Sequence, residues 1–208
     1  MIDADREAVV LAGGRSTRFS GEDKAFADLA GRPLLGHVID RLEAVLTRVV
    51  VSCRPAQSAG VADALAGTTM RTTIVEDRKP DRGPAAGLAE ALGAVEASHA
   101  AVVACDNPLV DPTFIELLYD RIAAADGVVP RVDDRLRPVQ AVYRSDPMRD
   151  ACRTSVETGN ASLHGVLDHL DMTVVTEDEW RPHTDPSTFL DVNTRDDLAV
   201  ARAALTDG

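Results

Sequence analysis

Short apolar runs rich in Val and Ala recur along the chain. They alternate with stretches whose apolar positions fall three or four residues apart. The runs at 7–12, 48–53, 72–76 and 100–105 predict strands, and the stretches at 33–46, 57–66 and 84–97 predict helices between them. In the first helix Leu34, Leu35, Val38, Ile39, Leu42, Val45 and Leu46 share one face. "RVVVSC" and "AAVVAC" are continuously apolar, the pattern of strands covered on both faces. After the fourth strand, "DPTFIELLYDRIAAAD" predicts a helix capped by Asp111, with Pro112 at its first position, where a missing N–H is harmless.

From residue 127 the pattern changes. "GVVPRVDDRLRPVQAVYR" predicts two strands around a turn at Asp133-Asp134, an antiparallel addition. A helix follows at 162–170, with Leu163, Val166, Leu167 and Leu170 on one face. Residues 176–187, polar and proline-containing, predict a loop. A last helix at 195–205 is expected to be capped by Thr194, with Asp197 three positions on. Strand and helix alternating at this spacing imply right-handed crossovers. The fold class is α/β: one domain over 1–208, doubly wound and Rossmann-like, with a mostly parallel sheet, helices on both faces and an antiparallel addition in the C-terminal half.

Composition narrows the setting. At 208 residues with 45% hydrophobic content the chain can bury a full core. No segment reaches about 18 consecutive apolar residues, and the start lacks the build of a signal peptide. Cys53, Cys105 and Cys152 form no CxxC pair, which fits a reducing cytoplasm rather than a disulfide framework or zinc site. The net charge is −12, and of 22 basic residues only Lys24 and Lys79 are lysines. Such a halophilic composition suits a salty cytoplasm, with an ordinary acidic soluble enzyme as the alternative, and either way the negative surface suits neither nucleic acid nor an anionic membrane.

Against that charge, the stretch behind the first strand stands out. "LAGGRSTRFSGEDKAF" sets Gly13 and Gly14 beside Arg15, Arg18 and Lys24, with only Glu22 and Asp23 opposing them. The glycines let backbone N–H groups approach an anion, and the cations point to phosphate. In an open α/β sheet ligands bind outside the carboxyl ends of the strands, so this loop is the expected place. Neither a P-loop, GxxxxGK[ST], nor a dinucleotide fingerprint, GxGxxG, is present.

"LAGGRSTRFSGEDKAFADLAGRPLL" resembles the signature of the nucleotidyltransferases typified by molybdenum cofactor guanylyltransferase (MobA-like). "EDRKPDRGPAAGLAEAL" resembles the second motif of that family and "ACDNPLVDP" its third. "RPVQAVYR", "GNASLHGVL" and "FLDVNTRDDL" resemble later stretches in the same order. Ser20 stands where relatives often carry Gly. Asp191 stands where they commonly carry Asn, either as an added metal ligand or as an acidic surface residue.

The resemblance implies transfer of GMP from GTP to molybdopterin with release of pyrophosphate. It also implies Mg2+ and, as partners, molybdoenzymes or other proteins of the cofactor pathway. A nucleotide-binding half, about 1–110, would precede an acceptor-binding half, about 111–208. Leu11, Ala12, Gly13 and Gly14 would meet the nucleotide through backbone groups. Lys24 would sit on phosphate oxygens, and Arg18 would hold the triphosphate or leaving pyrophosphate. Asp106 would carry Mg2+. Asp77 would contact guanine or its ribose, with Gly83 and Gly87 leaving room beside it. Arg78, Lys79 and Arg82 form a second basic cluster, for phosphates or only for solvent. Asn193 and Arg137 are the acceptor-side candidates, with Gln140, Asn160 and Ser162 as further polar residues there. The five histidines show no metal-ligand spacing, and Cys105 is expected to pack rather than react. Two rivals stay open: the same fold acting on cobinamide phosphate, phospholactate or a sugar phosphate, and a non-catalytic nucleotide-binding or cofactor-delivery module.

Overall fold

In the computed structural model, which describes residues 6–14, 23–77 and 82–206, the apolar runs form the strands of a parallel sheet. β1 (Arg6–Leu11) leads to the short antiparallel pair β2 (Asp28–Leu29) and β3 (Arg32–Pro33), then to α1 (Leu34–Leu42) and β4 (Arg48–Cys53). α2 (Ser58–Ala64), β5 (Arg71–Glu76), α3 (Pro84–Leu92), β6 (His99–Ala104) and α4 (Pro112–Arg121) complete the first run of crossovers. The rest comprises β7 (Gly127–Val132), β8 (Arg135–Leu136), β9 (Ala141–Arg144), α5 (Ser145–Glu157), α6 (Leu163–Leu167), β10 (Met172–Val175), α7 (Glu177–Trp180) and α8 (Arg195–Thr206).

The sheet order is β10-β7-β9-β6-β1-β4-β5, with β8 attached to β7. Pairings β1–β4, β1–β6, β4–β5 and β7–β10 are parallel. β9 runs against its neighbours β6 and β7, and the short β8 runs against β7. From β1 the chain winds outward to β4 and β5, then returns to β6 on the other side. The carboxyl ends of β1 and β6 therefore lie side by side at the point where winding reverses, the place where open α/β sheets bind ligands.

Successive strand residues point to opposite faces, and each face has its own core. Val10, Val51 and Val103 face α1, α2 and α4, whose Leu35, Val38, Val61, Phe114 and Leu118 fill that layer. Val9, Val50 and Val102 face α3, α5 and α6, covered by Leu88, Leu92, Met148, Cys152 and Val166. The doubly wound, mostly parallel arrangement expected from the pattern is what forms. Asp111 caps α4, its side chain accepting from the Thr113 N–H at 2.9 Å. Thr194 and Asp197 form the reciprocal cap of α8, with Thr194 N–H donating to the Asp197 carboxylate at 2.8 Å and Asp197 N–H to the Thr194 hydroxyl at 3.2 Å.

Several boundaries need correction. The helix expected over 33–46 is α1, Leu34–Leu42, followed by turns whose Val45 and Leu46 stay buried. Likewise 84–97 shortens to α3 and 162–170 to α6, because apolar residues in the closing turns extend the stripe beyond the helix. Where two C-terminal strands were expected, three form. β7 and β8 turn at Asp133-Asp134, both at positive φ (49° and 59°), the geometry of a tight hairpin. β9 then enters the sheet separately. α5 and β10 were not foreseen. The buried stripe of α5 is Ser145, Met148, Ala151, Cys152 and Ser155, spaced as a helix requires but too small and polar to show as one. The expected loop 176–187 contains α7, closed by a Thr176/Glu179 capping box, and a turn of 3-10 helix at Pro186–Phe189. Trp180 and Phe189 anchor it, their rings 4.9 Å apart and edge to face. Among the described residues no helix is long and apolar enough to cross a membrane.

Candidate active site

The sheet places its two central carboxyl ends in register. Cys105 N–H donates to the Leu11 carbonyl at 3.0 Å, extending the ladder one step past β6 and fixing Asp106 beside the run Leu11–Gly14. Val192 N–H donates to the Asp106 carbonyl at 2.8 Å, which lays the segment before α8 along the same edge and delivers Asp191 and Asn193. Residues distant in sequence thus converge on Asp106.

Lys24 Nζ donates to Asp106 Oδ2 and, at 2.9 Å, to Asn193 Oδ1. Both charged side chains of this pair are mostly buried. Burial raises the Asp106 pKa above the usual carboxylate value, the nearby Asp191 charge adds to the rise, and the Lys24 ammonium opposes it. Asp191 is itself held: Oδ2 accepts from Arg137 at 2.9 Å, and Oδ1 accepts from the Asn107 amide.

Two clefts open on this point. The smaller, about 450 Å3, is lined by Leu11, Gly13, Gly14, Lys24, Asp77, Gly83, Gly87 and Asp106, together with Ser52, Pro84, Ala104, Cys105, Val139 and Leu163. The larger, about 970 Å3, is walled in part by Arg82, Asn107, Arg137, Gln140, Asn160, Ser162, His164, Asp191 and Asn193. Asp106 belongs to both walls.

Most candidate residues are therefore brought together. Ala12 is not on the cleft wall. Its methyl joins the core, and its carbonyl accepts from the Gln57 amide at 2.8 Å. Arg18 lies outside the described residues, as do Arg15, Arg78 and Lys79. Asp77 stands at the end of β5, its N–H donating to the Cys53 carbonyl at 2.8 Å. A methyl on Gly87 would lie 3.1 Å from Ser52 Oγ and 3.8 Å from Asp77 Oδ2, so this glycine keeps that corner open. Gly83 has φ +86°, and a methyl there would meet Ala161 at 2.7 Å, so local packing alone demands glycine. Gly13 and Gly14 differ: neither has positive φ, and among the described residues no atom lies within 4 Å of a methyl added at either. Neither turn geometry nor packing explains them, which leaves the space they keep clear in the cleft.

Cys105 is buried, and burial holds its thiol well above the ordinary range, so it is no thiolate nucleophile. Among the described residues no group of three or more His, Cys, Asp or Glu could hold a metal. What the site offers is Asp106 with Asp191 close enough to perturb it, an all-oxygen pair suited to a hard cation shared with phosphates. The sequence did not single out Asn107, Ser52, Asp23 or Gln57. Asn107 and Asp23 stand inside recognised motifs, whereas Gln57 has no signal beyond falling at the start of an expected helix.

The family described as the MobA-like NTP transferase domain matches residues 8–181. A probable molybdenum cofactor guanylyltransferase of Natronomonas pharaonis is 41% identical, over 97% of this chain and 99% of that protein. A protein of the same name from Haloferax mediterranei is 36% identical, over 95% of this chain and 93% of that protein. Among solved structures, molybdopterin-guanine dinucleotide biosynthesis protein A from Archaeoglobus fulgidus shares the fold, with TM-score 0.80 and 23% identity, covering 97% of this chain and 100% of that one. With its central ion pair at the switch point of the sheet and the family match spanning most of its length, the chain belongs to the MobA-like NTP transferases.

Proposed function

We propose that the chain is a cytoplasmic, Mg2+-dependent guanylyltransferase that moves GMP from GTP to molybdopterin and releases pyrophosphate. The observation that carries this is the position of Asp106, bonded to Lys24, on the wall common to the two clefts. A nucleotide in one cleft and an acceptor in the other would meet at a single charged point. The names of the full-length relatives support guanine as the base and molybdopterin as the acceptor. The proposed nucleotide-binding half, about 1–110, supplies most of the smaller cleft, and the proposed acceptor-binding half, about 111–208, most of the larger, while each also lends residues to the other.

A phosphate oxygen of the acceptor attacks the α-phosphorus of GTP. The bond from that phosphorus to the oxygen bridging the β-phosphate breaks, and its electron pair leaves with pyrophosphate. The attacking phosphate is already an anion near neutral pH, so the protein's task is to neutralise and align rather than to deprotonate. Lys24 exchanges its bond to Asp106 for phosphate oxygens, and the Gly13 and Gly14 backbone lies against the phosphates. Asp77 accepts from the guanine N1–H and N2–H2 edge, beside the room left by Gly87. Arg18, with the triphosphate or pyrophosphate as its expected partner, completes the cationic side. Arg137 and Asn193 orient the acceptor. Asp106 would hold Mg2+, with Asp191 nearby, and the ion supplies charge neutralisation on the phosphate oxygens.

The test is pyrophosphate release from GTP, ATP or CTP with molybdopterin, Mg2+ and high salt. Release from GTP alone, lost in Lys24→Ala and Asp106→Ala, is the expected result. GTP binding without pyrophosphate would overturn the acceptor, and the phosphate acceptors of related enzymes would be tried in turn. Absence of GTP binding would overturn the nucleotide assignment.

A further inference from the structure

Behind the smaller cleft lies a buried amide that lines neither of the two clefts described above. Gln57 is 2% exposed and ends the turn of 3-10 helix Pro55–Gln57 after β4. Its Oε1 accepts from Arg54 N–H at 2.8 Å and Arg54 Nε at 3.2 Å, which closes the local turn. That half of the amide is a cap. The other half leaves the turn altogether: Nε2 donates to the Ala12 carbonyl at 2.8 Å and to Asp23 Oδ2 at 2.6 Å. Both amide hydrogens and the acceptor oxygen are used, so the side chain is satisfied and held in one orientation.

The two distant partners each sit next to a residue of the site. Asp23 precedes Lys24. Its Oδ2 also accepts from Arg54 at 3.0 Å, and its Oδ1 accepts from Ala25 N–H at 3.3 Å, shaping the turn that aims Lys24. Ala12 precedes Gly13. A trans peptide is planar and points its C=O and the next N–H in opposite directions, so gripping the Ala12 carbonyl also sets the direction of the Gly13 N–H. Ala12 N–H is meanwhile held by the Ser52 carbonyl at 2.8 Å.

We propose that Gln57 is a positioning residue for nucleotide binding: its amide bridges the backbone leaving β1 to the carboxylate beside Lys24, so that the glycine run and the lysine address one set of phosphates. The proposal rests on the nucleotidyltransferase reading above. A plain helix-start cap needs only the acceptor oxygen, whereas this side chain spends both donors on the two phosphate-facing stretches.

The test compares wild type with Gln57→Met, which keeps the volume and removes the amide, and Gln57→Glu, which keeps the shape but replaces both donors with a carboxylate oxygen facing Asp23. GTP affinity is measured by calorimetric titration with Mg2+, KM for GTP and for molybdopterin by pyrophosphate release, and folding by thermal unfolding. A positioning role predicts a GTP Kd and KM raised about tenfold or more, with KM for molybdopterin unchanged, at temperatures where the variant is folded. A merely structural role lowers the active fraction, and hence kcat, while both KM values stay put; that result overturns the proposal. If Gln57→Met does not fold, Gln57→Glu decides by the same criterion. If wild type binds GTP without turnover, the acceptor assignment falls, and the clamp is judged on Kd alone. If wild type does not bind GTP, both fall together.

Discussion

Lys24 reaches across the mouth of the sheet to bond the carboxylate of Asp106, although the two lie on different elements and belong to different motifs. Without phosphate present, each satisfies the other's charge. Removing Lys24 alone therefore harms both chemistry and fold, because it strands the buried carboxylate. Lys24→Ala should lower turnover about 100- to 1000-fold and destabilise the chain by about 3 kcal/mol, because a mostly buried carboxylate loses its partner. Adding Asp106→Asn to Lys24→Ala should restore much of that stability and none of the activity. Thermal unfolding alongside pyrophosphate release checks both halves.

The raised pKa of Asp106 makes a second prediction. Its folded-state carboxyl keeps a proton to higher pH than the ordinary 3.8 of the unfolded chain, so the native state binds more protons between those values. Stability is then fully present below the unfolded value and falls as pH rises through the folded one. Asp106→Asn should accordingly melt higher than wild type near neutral pH in chelator. The gain should shrink toward zero as pH falls to about 3.8. A constant difference across that window would contradict the cause given.

Glycines at the site should separate into two kinds. Gly83→Ala forces both a left-handed backbone and a collision with Ala161, and should cost stability first, by about 1–3 kcal/mol. Gly13→Ala and Gly14→Ala meet no atom of the described residues. They should leave the melting temperature close to wild type while weakening GTP binding about tenfold or more. Unfolding curves paired with GTP titration distinguish the two.

Arg137, proposed above to orient the acceptor, is bonded to Asp191, and Arg137→Gln removes that cation. The expected effect is a KM for molybdopterin raised about tenfold with KM for GTP within twofold, consistent with loss of one charge-assisted contact. Equal changes in both constants would move Arg137 off the acceptor side.

The motifs that gather at the smaller cleft were legible because their residues are local in sequence. Glycines, a scarce lysine and a helix-starting Gly83-Pro84 all sit within short motifs, and each motif closes a strand whose apolar run announces it. Long-range pairing was not legible. Nothing near Asn107 signals that it bonds Asp191, and Gln57 reads as an ordinary polar residue at a helix start. The architecture of the second half was partly hidden for another reason. α5 buries Ser145, Ala151 and Ser155, which carry little hydrophobic contrast, and β10 is too short to stand out from its surroundings. Trp180, fully buried in a stretch dominated by charge, is the clearest sign there that polar composition and exposure need not coincide.

The reversed direction of β9 has an evolutionary consequence. Because it enters the sheet backwards, its leading residues, Arg137 to Gln140, arrive at the same rim as the trailing ends of β1 and β6. Of that lead-in only Gln140 bonds β6, through its N–H to the Val102 carbonyl at 2.7 Å, and the parallel pairs of β1, β4 and β5 involve none of it. On the function proposed above, selection thus has a handle on what receives the nucleotide that leaves the strand ends at the smaller cleft in place. One scaffold can diversify its customers by redrafting a single short approach to one strand.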